Sequence, residues 1–266
     1  MRGRGEPADA DGGGGGGVRE VKSAARTVQV LEILANGGSE QVRLRELSEK
    51  TGVPRSSLYA LLQTLVACGW VRTDATNSFY SIGIRALLTG TRYLDTDARL
   101  GLAGPVLDRL AEELGETTHF ARLDGPDIVY LATRESRHYL RPFSRVGRRL
   151  PAQASALGKA LLAEQPPAYL ERELPPVLPS YTARTISDHA ALREHLDAVR
   201  KRGYAIDDEE HIEGVVCFGF ALRYSSPAED AISCSVPTVR LSEEHRERIV
   251  AAMFQAREEL ERAHLR

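Results

Sequence analysis

The sequence predicts an α+β chain of two folded parts, an N-terminal winged helix-turn-helix and a larger C-terminal domain whose antiparallel sheet is covered by helices. Three observations carry this. Apolar residues recur at helical spacing in three short segments before Gly69, two β-prone runs follow at once, and helix-like and strand-like segments then intermix to the C-terminus. The length of 266 residues suits two domains.

In the first helix Val28, Leu31 and Leu34/Ala35 mark the apolar stripe, which stops at Asn36-Gly37-Gly38. A second short helix spans about Arg45 to Thr51 and closes at Gly52. Val53-Pro54 makes the turn, and Pro54 suits the start of a third helix, where a missing N–H costs nothing. There Leu58, Leu61, Leu62, Leu65 and Val66 form one buried face, while Arg55, Ser56, Tyr59, Ala60, Gln63 and Thr64 lie opposite. Trp70 to Thr73 and Ser78 to Ile82 read as strands around the polar turn Asp74-Ala75-Thr76-Asn77. A third helix of this kind fits the major groove of double-stranded DNA, with the hairpin along the adjacent backbone. DNA contact is therefore expected from Arg55, Ser56, Ser57, Tyr59 and Gln63, with Ser57 and Tyr59 placed to read bases. Arg26, Arg45, Arg72, Thr76 and Asn77 are expected to position the phosphate backbone. A module serving only protein contact is the alternative, but such faces usually present large apolar anchors, and this one is small and polar.

Composition bounds the rest. Hydrophobic residues make up 42% and charged residues 27%, which is ordinary for globular domains. The net charge of −2 conceals ten basic against seven acidic residues from Arg19 to Asp95, and 23 against 27 from Thr96 onward. No apolar run is long enough for a membrane span and the first 17 residues lack a signal peptide's apolar stretch, so a cytoplasmic protein is expected. Three scattered cysteines, Cys68, Cys217 and Cys234, make neither a disulfide framework nor a zinc site. Residues 1–20, with six glycines from Gly12 to Gly17, read as a disordered tail in which Arg2 and Arg4 add loose phosphate attraction. The winged helix-turn-helix occupies 21–83, a linker helix 84–100 (Leu87, Leu88, Tyr93, Leu94), and the second domain 101–266.

That domain opens with a helix marked by Leu102, Val106, Leu110 and Leu114, ending at Gly115. Strands over Thr117 to Leu123 and Ile128 to Thr133 are joined across Asp124-Gly125. Helices follow over about Ala154 to Ala163 and Asp188 to Arg202, then strands over Val216 to Arg223 and Asp230 to Val236. A last helix starts at Ser242, whose hydroxyl suits an N-cap.

Four stretches, in order, carry a resemblance. They are Ser23 to Val28, Val53-Pro54-Arg55-Ser56-Ser57-Leu58-Tyr59-Ala60-Leu61-Leu62, Leu157-Gly158-Lys159-Ala160-Leu161-Leu162-Ala163, and Arg202-Gly203-Tyr204-Ala205-Ile206-Asp207-Asp208-Glu209-Glu210. From about Ser23 to its end the chain resembles the isocitrate-lyase-regulator (IclR) family of bacterial transcription factors. The resemblance implies a GAF-like effector-binding domain at the C-terminus, dimers or dimers of dimers, and control by small molecules, often carboxylates. A symmetric dimer implies a roughly palindromic operator.

Residue by residue, the resemblance implies that the N–H groups of Ala156 and Leu157 hold an effector carboxylate, as a helix N-terminus favours. Asp207, Cys217, Ser233 and Ser235 match other pocket positions. Ser233 and Ser235 share one side of their strand, which is either a pocket wall or a solvated face, and Cys217 is either a pocket residue or a buried small hydrophobe. The chain departs from the pattern at Ala60, Gln153, Val216 and Phe218-Gly219-Phe220. Four arginines, Arg141, Arg145, Arg148 and Arg149, precede the Leu-Gly-Lys helix; they bias it toward anions, or are solvated, or pair with the acidic cluster. The expected ligand is a small acidic metabolite, a hydroxy, sugar or aromatic acid whose hydroxyl would meet Asp207.

An enzyme is the rival. Asp207 to Glu210 lie on an extended strand, where neighbours point to opposite faces, and no second ligand cluster accompanies them. The histidines make no metal-binding helix pattern, and Leu157-Gly158-Lys159 lacks a phosphate loop's glycines. No catalytic residue, metal or cofactor is expected. A redox sensor using Cys217 is the other alternative, and it requires a nearby cation or helix N-terminus.

Overall fold

The computed structural model describes residues 21–36, 41–142 and 144–265. The glycine-rich stretch over residues 1–20, with Arg2 and Arg4, and the helix-ending Gly37-Gly38 lie outside them. The chain divides into two compact units, Met1–Arg92 and Tyr93–Arg266.

In the first unit α1 (Lys22–Asn36) is followed by β1 (Val42–Arg43), α2 (Leu44–Thr51), α3 (Arg55–Ala67), β2 (Val71–Thr73) and β3 (Phe79–Ile82). The three strands form an antiparallel sheet in the order β1-β3-β2. β1, two residues long, has no periodicity to betray it in the sequence. The stripe of α1 also differs from expectation, because Val30 and Leu34 are buried whereas Val28 is 54% exposed. Leu58, Leu62 and Leu65 of α3 close the core with Leu47, Val71 and Tyr80.

The turn between α2 and α3 is fixed locally. Gly52 takes the left-handed conformation at φ 66° and donates its N–H to Ser48, whose hydroxyl donates to the Val53 carbonyl at 2.7 Å. Pro54, at φ −55° and ψ 140°, stands at the N-cap of α3 rather than inside its first turn.

α4 (Ile84–Thr96) leads to α5 (Ala98–Leu114). The single linker helix expected through residue 100 is broken at Asp97, whose extended backbone ends α4 and whose carboxylate accepts the Leu100 N–H to start α5. Arg122 bridges Asp97 and the fully buried Asp230, at 2.6 Å to each. These partners are distant in sequence, which hides the break from any periodicity.

The second unit is built on a six-stranded sheet in the order β6-β5-β4-β9-β8-β7, with every neighbouring pair antiparallel. The strands are β4 (Thr117–Asp124), β5 (Asp127–Arg134), β6 (Arg149–Pro151), β7 (Ala205–Asp208), β8 (Val215–Leu222) and β9 (Asp230–Pro237). Phe120, Val216, Phe218, Phe220, Ile232 and Val236 pack with α5 and α9 (Glu243–His264) in one core. A second core joins Ala121, Tyr130, Ala221 and Ala231 to α6 (Ala156–Glu164), α7 (Pro167–Glu173) and α8 (His189–Arg202). Ser242 caps α9 as expected, and Asp188 caps α8, its carboxylate accepting the Ala191 N–H.

α6 lies very close to the sheet. A Cβ on Gly219 of β8 would come within 2.3 Å of the Ala156 carbonyl group, and one on Gly158 within 2.2 Å of the Ala152 backbone. Only glycine permits this approach, which seats the first peptide of α6 on β8.

Candidate functional site

Two sites follow from these units, an exposed helix face in the first and a polar recess in the second. On α3, Arg55, Ser56, Ser57, Ala60 and Thr64 are exposed and Tyr59 is 44% exposed. Gln63 is half-buried, and its Nε2 has no hydrogen-bond partner. Burying leucines at helical spacing leaves these short polar side chains facing outward together.

The hairpin beside α3 is rigidly made. The Asp74 carboxylate accepts the Thr76 hydroxyl and the N–H groups of Phe79, Ser78 and Thr76, which hold it well below the usual carboxylate range. Asn77 adopts φ 55°, and its carbonyl accepts the Tyr80 hydroxyl at 3.0 Å. Thr76 and Asn77 are thus held exposed at the hairpin tip. Arg26 and Arg72 are exposed too, the latter donating to Ser81 at 2.8 Å. Arg45 is engaged by Glu49 at 2.7 Å, and that carboxylate also feels Arg55.

In the second unit one recess, with about 520 Å³ of empty space including its open mouth, is lined by Ala156, Leu157, Asp207, Cys217, Ser233 and Ser235 together. Strand register explains the convergence. Asp207 pairs with Cys217 and Cys217 with Ser235, so three neighbouring strands present one row of side chains to the same face. A second row runs from Gly219 through Ser233 to His119. The Cys217 thiol and Ser235 hydroxyl lie 3.0 Å apart. Ser155 caps α6, its hydroxyl taking the Gly158 N–H and its carbonyl the Lys159 N–H. The N–H groups of Ala156 and Leu157 come before the first intrahelical bond, as at any helix start.

The electrostatics of the recess are set by burial. Asp207 is pushed up to about 7 by burial, against the pull of Lys159 and of the Glu210 N–H, which donates to Asp207 at 2.8 Å. Glu209, at φ 60°, ends β7, so the acidic run is not one extended strand. Glu210 turns inward to pair with Lys159 of α6, which is fully buried, while Asp208 pairs with Arg184 at 2.7 Å. Burial lowers His119 to about 3, and the Arg148 charge adds to that, so this histidine is neutral. Burial, with the Asp207 charge, pushes the Cys217 thiol up, which disfavours the thiolate that a redox sensor needs. Among the described residues no group of three or more His, Cys, Asp or Glu is placed to hold a metal, and no helix is long and apolar enough to cross a membrane.

Several departures from the family pattern turn out to avoid the recess. Val216, Phe218 and Phe220 face the core under α5 and α9, and Gln153 is buried elsewhere, donating to the Pro179 carbonyl. The arginines separate as well. Arg141 pairs with Glu135 and Arg149 with Asp124 and Asp127, not with the 207–210 cluster, whereas Arg148 lines the recess. His119, Tyr130, Ser144 and His211 are wall residues that the sequence did not single out. His119 was within reach of period-two reasoning, since it shares a face with Thr117 and Ala121. Ser144 and His211 sit in loops, where no period applies.

A winged helix-turn-helix joined to a separate sheet domain with a polar recess defines a DNA-binding regulator with its own sensory domain. The chain belongs to the IclR family of bacterial transcriptional regulators: residues 23–75 match the IclR helix-turn-helix domain and residues 92–262 the bacterial transcriptional regulator IclR C-terminal domain. It is 32% identical over 263 residues to the HTH-type transcriptional regulator BhcR of Paracoccus denitrificans, covering 98% of this chain and 94% of that protein. It is 33% identical over 249 residues to the transcriptional repressor IclR of Escherichia coli, covering 91% and 89% respectively. The crystal structure of an IclR homolog from Microbacterium hydrocarbonoxydans, complexed with 4-hydroxybenzoate, shares the fold with a TM-score of 0.71 at 24% identity, over 90% of this chain and 98% of that one. The first two of these relatives are regulators of transcription.

Proposed function

We propose that this chain is a cytoplasmic repressor of catabolic genes whose grip on a roughly palindromic operator is set by a small acidic metabolite in the recess of the second unit. The carrying observation is that six groups scattered from Ala156 to Ser235 meet in that one recess. The ligand's carboxylate lies against the N–H groups of Ala156 and Leu157, where helix polarity favours an anion. Its hydroxyl meets Asp207, with Ser233 and Ser235 as further partners. With Asp207 pushed up to about 7, that carboxyl can also stand protonated beside an anion. The homolog that holds 4-hydroxybenzoate, an acid with a hydroxyl, has a ligand of this kind.

On DNA, Arg55, Ser56, Ser57, Tyr59 and Gln63 enter the major groove, with Ser57 and Tyr59 reading bases. Arg26, Arg45, Arg72, Thr76 and Asn77 set the backbone register, Arg45 by leaving Glu49. A dimer, or a dimer of dimers, supplies the symmetry. Ile84, Leu87 and Leu88 on α4, all more than half exposed, support an apolar partner surface for it.

The test is a thermal-shift screen of acids and their neutral amides, with 4-hydroxybenzoate included. Acids should raise the melting temperature in a concentration-dependent way, and Ser235→Ala or Asp207→Ala should abolish the rise while operator binding persists in a gel shift. Stabilisation by neutral apolar compounds alone would defeat the anion reading. A footprint showing one protomer on one unrepeated half-site would defeat the palindrome.

A further inference from the structure

The three-stranded sheet of the first unit has an outer face as well as a core face. Val42, Val71 and Tyr80 are buried in the core, so the residues that alternate with them, Arg43, Arg72, Phe79 and Ser81, lie on the other side. Both arginines are exposed, and both are held. The Arg43 guanidinium lies over the Phe79 ring, 4.8 Å from its centroid, and Arg72 donates its Nε–H to the Ser81 hydroxyl at 2.8 Å. Among the described residues neither makes an ion pair, whereas Arg45, two positions beyond Arg43, is engaged by Glu49.

Stacking leaves Arg43 equipped for an anion. The ring takes one face of the guanidinium, while its N–H donors lie in the guanidinium plane and meet no acceptor among the described residues. A guanidinium held in this way loses less freedom on binding than one on a free side chain. Strand register decides where it stands. Arg43 pairs with Phe79, the first residue of β3 after the turn, so it lies at the same end of the sheet as exposed Thr76 and Asn77. β1 is two residues long, and Arg43 is what it adds to the outer face. Asp74, the carboxylate of the turn, is already engaged, since its bonds come from Thr76, Ser78 and Phe79.

We propose that Arg43 is a further DNA contact, its guanidinium donating to a backbone phosphate beside the hairpin tip, and that Phe79 is the positioning residue that holds it there. This rests on the hairpin lying along the duplex. The contact carries no sequence information and adds affinity that weakens with salt, because each neutralised phosphate releases counterions. Arg72, on the same outer face, supplies the neighbouring charge. The pair Arg43–Phe79 thus extends the phosphate-binding surface from the hairpin tip to the short first strand.

The test is fluorescence anisotropy of the full chain on a labelled duplex of arbitrary sequence, about 30 base pairs long, from about 50 to about 300 mM salt. Arg43→Gln should weaken binding by about threefold to tenfold at the lowest salt and flatten the plot of log affinity against log salt by about 0.9. Arg43→Lys should keep the wild-type slope, since the charge remains. Arg262→Gln, which removes a charge near the end of α9, should leave the slope unchanged. Phe79→Leu should keep the slope yet weaken binding by about twofold to fivefold, and that loss should vanish when Arg43→Gln is already present. A slope for Arg43→Gln equal to that of the wild type or of Arg262→Gln overturns the contact. If Arg72→Gln still flattens the slope in that case, the hairpin keeps its place on the backbone. If neither arginine moves the slope, the contact and the hairpin's backbone role fall together. A Phe79→Leu loss that persists undiminished beside Arg43→Gln overturns the positioning role of the ring.

Discussion

The outer face of α3 and the recess of the second unit are both polar, yet they are made in opposite ways. The α3 face uses residues within nine positions of one another, all exposed except the half-buried Gln63, around a helix whose other side is pinned by Leu58, Leu62 and Leu65. The recess draws on β4, β5, β7, β8, β9, the start of α6 and two loops, and most of its polar groups are buried. A surface site of the first kind costs little to build, because water still solvates its side chains. A buried site of the second kind must satisfy or neutralise every group it contains. Here the Lys159–Glu210 pair beneath the wall, the raised Asp207 and neutral His119 meet part of that demand, while the Ser144 hydroxyl and one Glu210 oxygen are buried without a hydrogen-bond partner.

The sharpest way to break the contrast is to unbalance the buried pair. Lys159→Ala leaves Glu210 buried without its partner, and loss of about 3–5 kcal/mol from the second unit is expected by denaturant titration. Lys159→Met combined with Glu210→Leu should recover most of that loss. A double variant no more stable than the single one would mean that the pair is not the cause.

Arg55 tests the other side of the comparison. Arg55→Ala should leave the melting temperature unchanged, since the side chain is exposed, yet weaken operator binding by about 1–3 kcal/mol if it meets a base. If it meets a phosphate, the loss should be uniform across operators and the salt slope smaller. Unchanged affinity at every salt concentration removes Arg55 from the interface.

Proton linkage gives a smaller effect. The Asp207 carboxyl rises from an ordinary 3.8 to about 7 because of burial, so between those values the folded chain holds a proton that the unfolded chain has released. The resulting stability is fully present below the lower value and is lost as pH rises through about 7. Lys159, Glu210, Cys217 and Tyr130 are the titratable neighbours that share its field. Affinity for an acidic ligand should fall over the same rise, and Asp207→Asn should flatten both curves in melting and calorimetry. Superimposable pH curves for the two proteins would reject this linkage.

The smallest effect concerns α1. Val28→Ser should change stability by less than about 0.5 kcal/mol, because the side chain is mostly in water, whereas Leu34→Ala should cost about 2–5 kcal/mol. Equal losses in a melting comparison would mean that Val28 is covered in solution.

The sequence read the short-range features well and the long-range ones poorly. Helical leucine spacing located α3, Gly52 and Gly115 marked helix ends, and Ser242 announced its cap, because each of these is settled within one or two turns of chain. The recess was legible only through the family resemblance for Ala156, Leu157, Asp207, Cys217, Ser233 and Ser235. Nothing in their own spacing told a pocket wall from a solvated strand face. Val28 and the linker helix were misjudged for a related reason. A stripe fixes which residues share a face, but the packing partner fixes which face is buried, and Asp97 breaks the helix as part of a network with Arg122 and Asp230.

The sequence by itself determined the order of elements, the polar outer face of α3 and the mixed helix-and-sheet class, since these follow from local propensity and periodic burial. Tertiary structure alone decided that Asp207, Cys217 and Ser235 stand in one row, that Gly219 lets α6 rest on β8, and that Arg148, of four neighbouring arginines, lines the recess. Strand register and close helix–sheet contact couple residues tens of positions apart, and no local preference along the chain encodes such distances.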